Sequence, residues 1–353
     1  MNDSVYFYQC YSADVCSYKF QSYKIMGVTC QILLNPIENG VYKAGDPVTG
    51  TLKYFIDIPT QYSRITMALT GRGKCLWTEY SNRSNSNFNN VIYHSNSEDY
   101  TNLMMSVNLN KDEFISGAFE YPFQFELPIN IPPTFKDPIC TIEYKLTVLF
   151  VIGNSIIPQR EFEVEIPVTS YVVSFSSEPL MLKLDKKLSF KIKNKINVSG
   201  EISKTHITPG DSTQLAIEVN NKTGAEISIR TELIYCLTYI STLNRRRYRE
   251  EVVRNTTTKT AVAANGVSNL ICVVPTYQNL CSIQHSKMLM GEYKVRLKIE
   301  VPKPHRDASI DIPVVIGAKM PDGITAVPVV LPPPAGPMYP HTMSHHPHVN
   351  MSW

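Results

Sequence analysis

Strict alternation of apolar and polar side chains constrains this chain more than any other feature. Phe162, Val164, Ile166 and Val168 alternate with Glu161, Glu163, Glu165 and Pro167. Phe119, Tyr121, Phe123, Phe125 and Leu127 alternate with Ala118, Glu120, Pro122, Gln124 and Glu126. The same period of two runs from Leu188 through Phe190, Ile192 and Ile196 to Val198, and from Tyr293 to Val301. Side chains of a strand point alternately to its two faces, so each run has one apolar and one wet face. Such strands pack as antiparallel sheets in a sandwich. No long run with a helical period of 3.6 competes. The fold class expected is all-β. Pro122 inside a strand pattern predicts an edge or a bulge, because it has no N–H to give a ladder.

The pattern is written twice. Gly45-Asp46 precedes a strand at Val48–Ile56, and Gly210-Asp211 precedes one at Thr213–Val219. Tyr144-Lys145-Leu146 is matched by Tyr293-Lys294-Val295, and Ile166-Pro167-Val168 by Ile312-Pro313-Val314. Three landmarks recurring in one order predict two related units. Two domains also suit a length of 353 residues. Hydrophobic residues make up 43% of the chain, which supplies two cores and excludes wholesale disorder. The boundaries expected are an N-terminal extension at 1–26, sandwiches at 27–169 and 186–318, a linker at 170–185, and a disordered Pro/His-rich tail at 319–353. Residues 1–25 are rich in Tyr but show no clear strand or helix period.

These landmarks resemble the arrestin fold, and specifically the arrestin-domain-containing proteins (alpha-arrestins). The first half carries Asn35-Pro36, Tyr42, Gly45-Asp46, Gly71, Gly73, Trp77-Thr78-Glu79 and Tyr121-Pro122-Phe123. The second carries Gly210-Asp211, Gly291, Tyr293, Ile312-Pro313-Val314 and Ile316-Gly317. The resemblance covers about residues 27–318. It implies a non-catalytic adaptor in membrane-protein trafficking. Such an adaptor binds the cytoplasmic tails of receptors or transporters and couples them to endocytosis, sorting or ubiquitination. It implies a cytoplasmic protein, peripheral at the plasma membrane and endosomes. A retromer-type sorting subunit, which shares the fold, and a scaffold without ligase coupling are the alternatives.

Chemistry is sparse. There is no G-x-G-x-x-G, no Walker loop and no G-x-S-x-G. Outside the tail only His94, His206, His285 and His305 occur, with no spacing for a triad or a metal. No enzyme, no cofactor and no metal is expected. His341, His345, His346 and His348 fit weak metal binding or, more simply, a low-complexity tail. The eight Cys contain no C-x-x-C pair. Asp3, Asp14 and the missing apolar core of a leader argue against a secretory signal, so all eight are expected reduced. Cys30 and Cys272, in apolar runs, are expected in the cores.

Three segments point to partners. Arg245-Arg246-Arg247-Tyr248-Arg249 is the densest charge run. One reading is a contact with an anionic partner, either phospholipid headgroups or a phosphorylated tail, since guanidinium suits bidentate phosphate contact. The other is a solvated hairpin, with the run in or near its turn and partly offset by Glu250 and Glu251. No nucleic-acid reading module accompanies it. In the tail, alpha-arrestins typically carry P-P-x-Y motifs that dock WW domains of HECT-type ubiquitin ligases. Here the sequence is Gly336-Pro337-Met338-Tyr339, a degenerate form in which Pro337 and Tyr339 remain. Leu180–Asp185 resembles a clathrin box with Met181 in place of its first Leu. The Asn- and Ser-rich stretch 82–102 reads as a solvated loop.

The net charge of +3 hides an asymmetry. Residues 27–169 hold 10 Lys+Arg and 15 Asp+Glu, net −5. Residues 186–318 hold 20 and 11, net +9. An anionic partner should prefer the second unit.

Overall fold

The computed structural model describes residues 20–25, 27–81, 90–107, 113–153, 160–173, 179–187 and 195–320. Strands of the first unit are β1 (Phe20–Ile25), β2 (Val28–Leu34), β3 (Tyr42–Lys43), β4 (Pro47–Thr60), β5 (Tyr62–Ser81), β6 (Asn90–Val107), β7 (Ile115–Glu126), β8 (Phe135–Lys136), β9 (Cys140–Ile152), β10 (Arg160–Glu165) and β11 (Val168–Thr169). After β12 (Tyr171–Val172), the second unit has β13 (Leu180–Lys187), β14 (Lys195–Ile202), β15 (His206–Ile207), β16 (Ser212–Asn221), β17 (Ile227–Ile240), β18 (Arg246–Val252), β19 (Thr258–Val262), β20 (Val267–Pro275), β21 (Leu289–Glu300), β22 (Ala308–Ile316) and β23 (Ala318–Lys319).

Two sandwiches result. In the first, the sheet β1-β2-β4-β7 faces β10-β9-β5-β6. In the second, β13-β14-β16-β20 faces β15-β22-β21-β17-β18. All the major pairings are antiparallel, and the alternation is physical: β9 and β21 bury every second residue along most of their lengths. Pro122 lies in β7, an edge strand, where its missing N–H costs no ladder bond.

The duplication reaches individual hydrogen bonds. At Lys43–Asp46 the Asp46 N–H bonds the Lys43 carbonyl, and at Thr208–Asp211 the Asp211 N–H bonds the Thr208 carbonyl, both at 3.0 Å. Gly45 and Gly210 each take φ +87°, a value that favours glycine at the third position of such a turn. Each aspartate carbonyl then accepts the N–H of a residue at or just beyond the far sheet edge, Leu127 at 3.1 Å and Thr276 at 2.8 Å.

Several expectations are corrected. Phe20–Ile25 is a strand, held to Val28–Leu34 through six residue pairs, within a segment whose sequence shows no clear period. Its order comes from the partner rather than from its own pattern. Leu180–Lys187, read partly as linker, is an edge strand of the second sandwich, with Leu182 buried and Met181 73% exposed. The Leu180–Asp185 run is thus held in a sheet. Of the alternation at 188–198, Ile196 and Val198 are in the second core, while Leu188, Phe190 and Ile192 lie outside the described residues. Phe123 and Phe125 are buried, but Phe119 and Tyr121 only partly. Cys75 and Cys140 form a disulfide, against the reduced reading, because the β5–β9 register sets them directly opposite.

Candidate functional site: the seam and the arginine strand

The first core does not stop at its own sheets. Leu237, Tyr239, Ile283, Met288 and Leu289 of the second unit belong to it, and Tyr235 packs against both cores. Gly73 allows this approach, since a Cβ there would overlap the Met288 methyl. The two sandwiches therefore share a seam with apolar content.

Polar groups ring that seam. The β5–β6 hairpin outruns the sheet: β9 pairs with β5 only as far as Cys75, whereas β6 follows it to Ser81. The stretch 90–102, read as a solvated loop, is strand β6; residues 82–89 lie outside the described residues. A register shift at Gly71/Arg72 turns His94, Asn96 and Glu98 onto the face of Trp77, Cys75 and Gly73. His94 stacks on buried Trp77 with ring centroids 5.3 Å apart, and its Nε2 lies 3.2 Å from Glu79 Oε2. Asn96 donates to the Ile240 carbonyl at 2.9 Å, and Thr242 donates from both its N–H and its hydroxyl to the Ser95 carbonyl, each at 2.9 Å.

Glu98 is the centre of the contact. Its carboxylate accepts the Lys287 N–H (2.9 and 3.0 Å), the Ser286 hydroxyl (2.7 Å) and the Tyr100 hydroxyl (2.9 Å). Burial raises the Tyr100 phenol strongly, so it stays a donor. Asp137 does similar work beside β9. Its Oδ1 accepts the N–H groups of Ile139 (2.8 Å) and Cys140 (2.7 Å), and its Oδ2 accepts the hydroxyl of fully buried Tyr239.

The arginine run lies at the hairpin turn that the sequence suggested, with Arg245 in the turn and the rest in the strand that leaves it. Residues 241–245 make the turn, and Arg246–Val252 is a wholly exposed strand at the end of its sheet. Its members have different tasks. Arg245 reaches Glu79 across the seam at 3.8 Å. Arg249 pairs with Glu251 at 2.8 Å and lies 3.9 Å from Asp137. Arg246 and Arg247 make no ion pair among the described residues. Tyr248 donates to Glu250, which also takes Lys294 and Arg296, and these two share Asp311. Lys294 and Arg296 are thus paired in place by carboxylates of the second unit itself. Pro337 and Tyr339 lie outside the described residues. No group of three or more His, Cys, Asp or Glu residues placed to hold a metal occurs among the described residues.

The architecture and the comparisons agree. The model for the arrestin (or S-antigen) N-terminal domain matches residues 30–174, and that for the C-terminal domain matches 193–321. The chain belongs to the arrestin-domain-containing proteins. It is 25% identical over 205 residues to arrestin domain-containing protein 5 of Bos taurus, covering 56% of this chain and 61% of that one. To the Homo sapiens protein of the same name it is 23% identical over 205 residues, covering 56% and 59%. The match thus spans about three fifths of each relative.

Sequence reasoning missed the seam because its inward residues on β6 are His, Asn and Glu. A hydrophobic count sees no buried face there. The Gly71-Arg72-Gly73 triplet was the available signal, since two glycines in a strand mark a bulge or a close approach.

Proposed function

We propose that this arrestin-domain protein is a non-catalytic adaptor in membrane-protein trafficking, cytoplasmic and recruited to the plasma membrane and endosomes. It binds cytoplasmic regions of receptors or transporters and couples them to endocytosis, sorting or ubiquitination. One observation carries the reading: β18 is an exposed edge strand bearing two arginines, Arg246 and Arg247, that no carboxylate among the described residues engages. An open edge offers backbone N–H and C=O groups to an extended peptide. Free guanidinium groups beside it favour an acidic or phosphorylated segment, or anionic headgroups under the same edge. Arg245 and Arg249 hold the seam and support the edge. The tail's Pro337 and Tyr339 are the proposed contact to a HECT-type ligase.

The test is cosedimentation with vesicles of phosphatidylserine and phosphatidylcholine. Changing Arg246 and Arg247 to Gln should reduce binding about tenfold at low salt and less at physiological salt. Unchanged binding at low salt overturns the contribution of β18. Proximity labelling in cells, with and without residues 319–353, then tests the adaptor reading. Loss of ligase labelling on Tyr339→Ala would support the coupling.

A further inference from the structure

We infer that Cys75–Cys140 is a redox-controlled clasp that fixes the base of the β5–β6 hairpin to the rest of the molecule. The inference is independent of what cargo the protein carries.

Position is the first argument. Cys75 and Cys140 form the last residue pair of the β5–β9 ladder. Beyond it, β5 keeps one backbone bond to the β9 side, Leu76 N–H to the Ile139 carbonyl at 2.8 Å, and otherwise pairs only with β6. The bond therefore sits where the projecting hairpin leaves the sandwich. A covalent tie there limits how far the hairpin can swing about its root.

Surroundings are the second. Cys75 Sγ lies 3.8 Å from the Met288 carbonyl of the second unit, and the Met288 side chain packs on Gly73, two residues away. Cys140 N–H is held by Asp137, whose other oxygen takes Tyr239. Both cysteines are buried. A reductant reaches the sulfurs only when the seam over them opens. Redox state and seam closure are thus linked: the closed seam protects the bond, and the bond holds the hairpin against the seam.

Selectivity is the third. The remaining described cysteines are Cys30, Cys236, Cys272 and Cys281, all free thiols. Burial raises each of them, and Cys30 to about 12. A thiol kept protonated is a poor nucleophile, so exchange chemistry does not spread to them.

The chemistry balances without a cofactor. A dithiol reductant delivers two electrons and two protons, leaving two cysteine thiols and an oxidised reductant. In the reverse direction one thiolate attacks a small disulfide such as oxidised glutathione. It forms a mixed disulfide and releases one thiol, and the second cysteine then displaces the other. In a reducing compartment such a pair is expected to switch rather than to persist.

The test uses the full chain, equilibrated with oxidised glutathione or with dithiothreitol, quenched in acid and alkylated after denaturation. Mass spectrometry should find a cross-linked peptide joining Cys75 to Cys140 only in the oxidised sample. Hydrogen exchange should be roughly tenfold faster at Leu76–Tyr80 and 91–97 in the reduced sample, with Leu215–Val219 of the second sandwich unchanged. The Cys75→Ala/Cys140→Ala variant should show fast exchange in both conditions, and Cys272→Ala should retain the difference. Absence of the cross-linked peptide, or equal hairpin exchange in the two wild-type states, overturns the inference. The wild-type comparison stands even if the double variant folds poorly.

Discussion

Asp311 shows how one side chain carries a pH dependence. Hydrogen bonds from Arg296 at 2.7 and 2.9 Å, with help from Lys294 and against partial burial, hold its carboxyl at about 2. An unfolded aspartate titrates near ~3.9. Between those values the unfolded chain binds more protons than the folded one. The contribution is therefore complete above about pH 4 and is lost as pH falls through about 2. Asp311→Asn should cost about 1 kcal/mol at neutral pH, a figure reduced from the full shift because the pair is partly solvated. The variant should also lose less stability on acidification. Urea unfolding at pH 7 and pH 3 measures both; a variant whose stability falls as steeply as the parent's overturns the assignment.

At the scale of elements, the β8–β9 turn decides whether the first sandwich presents a fixed surface to the second. Asp137 satisfies two backbone N–H groups and one buried phenol at once. Asp137→Ala leaves all three donors without their acceptor, at a cost of about 2–4 kcal/mol. Tyr239→Phe removes only the hydroxyl and should cost about 1 kcal/mol. A cost for Asp137→Ala no larger than that for Tyr239→Phe in chemical denaturation would mean that the turn is not an anchor. Elements of this kind are also where sequence and structure diverge. The strands at Phe162–Val168 and Tyr293–Val301 were legible because one face is apolar and the other wet. β6 was not, because the face it buries is polar and is satisfied by groups about 140 to 190 residues away. Strand β1 was not, because only its pairing with β2 defines it. The arginine strand was legible as charge. Its division into Arg245 and Arg249 at the seam and Arg246 and Arg247 in solvent needed the register of β18 on β17. The disulfide needed the β5–β9 register in the same way.

For the whole molecule the question is whether two sandwiches act as one body, and Glu98 is the group on which that turns. It binds one short segment, Ser286 and Lys287, which the second unit inserts beside the hairpin, and Ser286 Oγ in turn accepts the Met288 (3.3 Å) and Leu289 (3.2 Å) N–H groups. The apolar contact made by Met288 and Leu289 is thus positioned by a carboxylate of the first unit. Glu98→Ala removes the acceptor for the Lys287 N–H while leaving each sandwich core intact. It should therefore loosen the seam without unfolding either unit. Expected outcomes are faster hydrogen exchange at Met288–Gly291 and 95–97, and a more extended particle by small-angle scattering, with exchange of the Ile217 and Val148 amides unchanged. Glu98→Gln keeps one carbonyl acceptor and should lie between the parent and the Ala variant. If Glu98→Ala leaves both the scattering profile and the Met288 exchange as in the parent, Glu98 does not set the placement of the two units, and the apolar contact with the remaining polar bridges at Asn96, Thr242 and Asp137 holds them together.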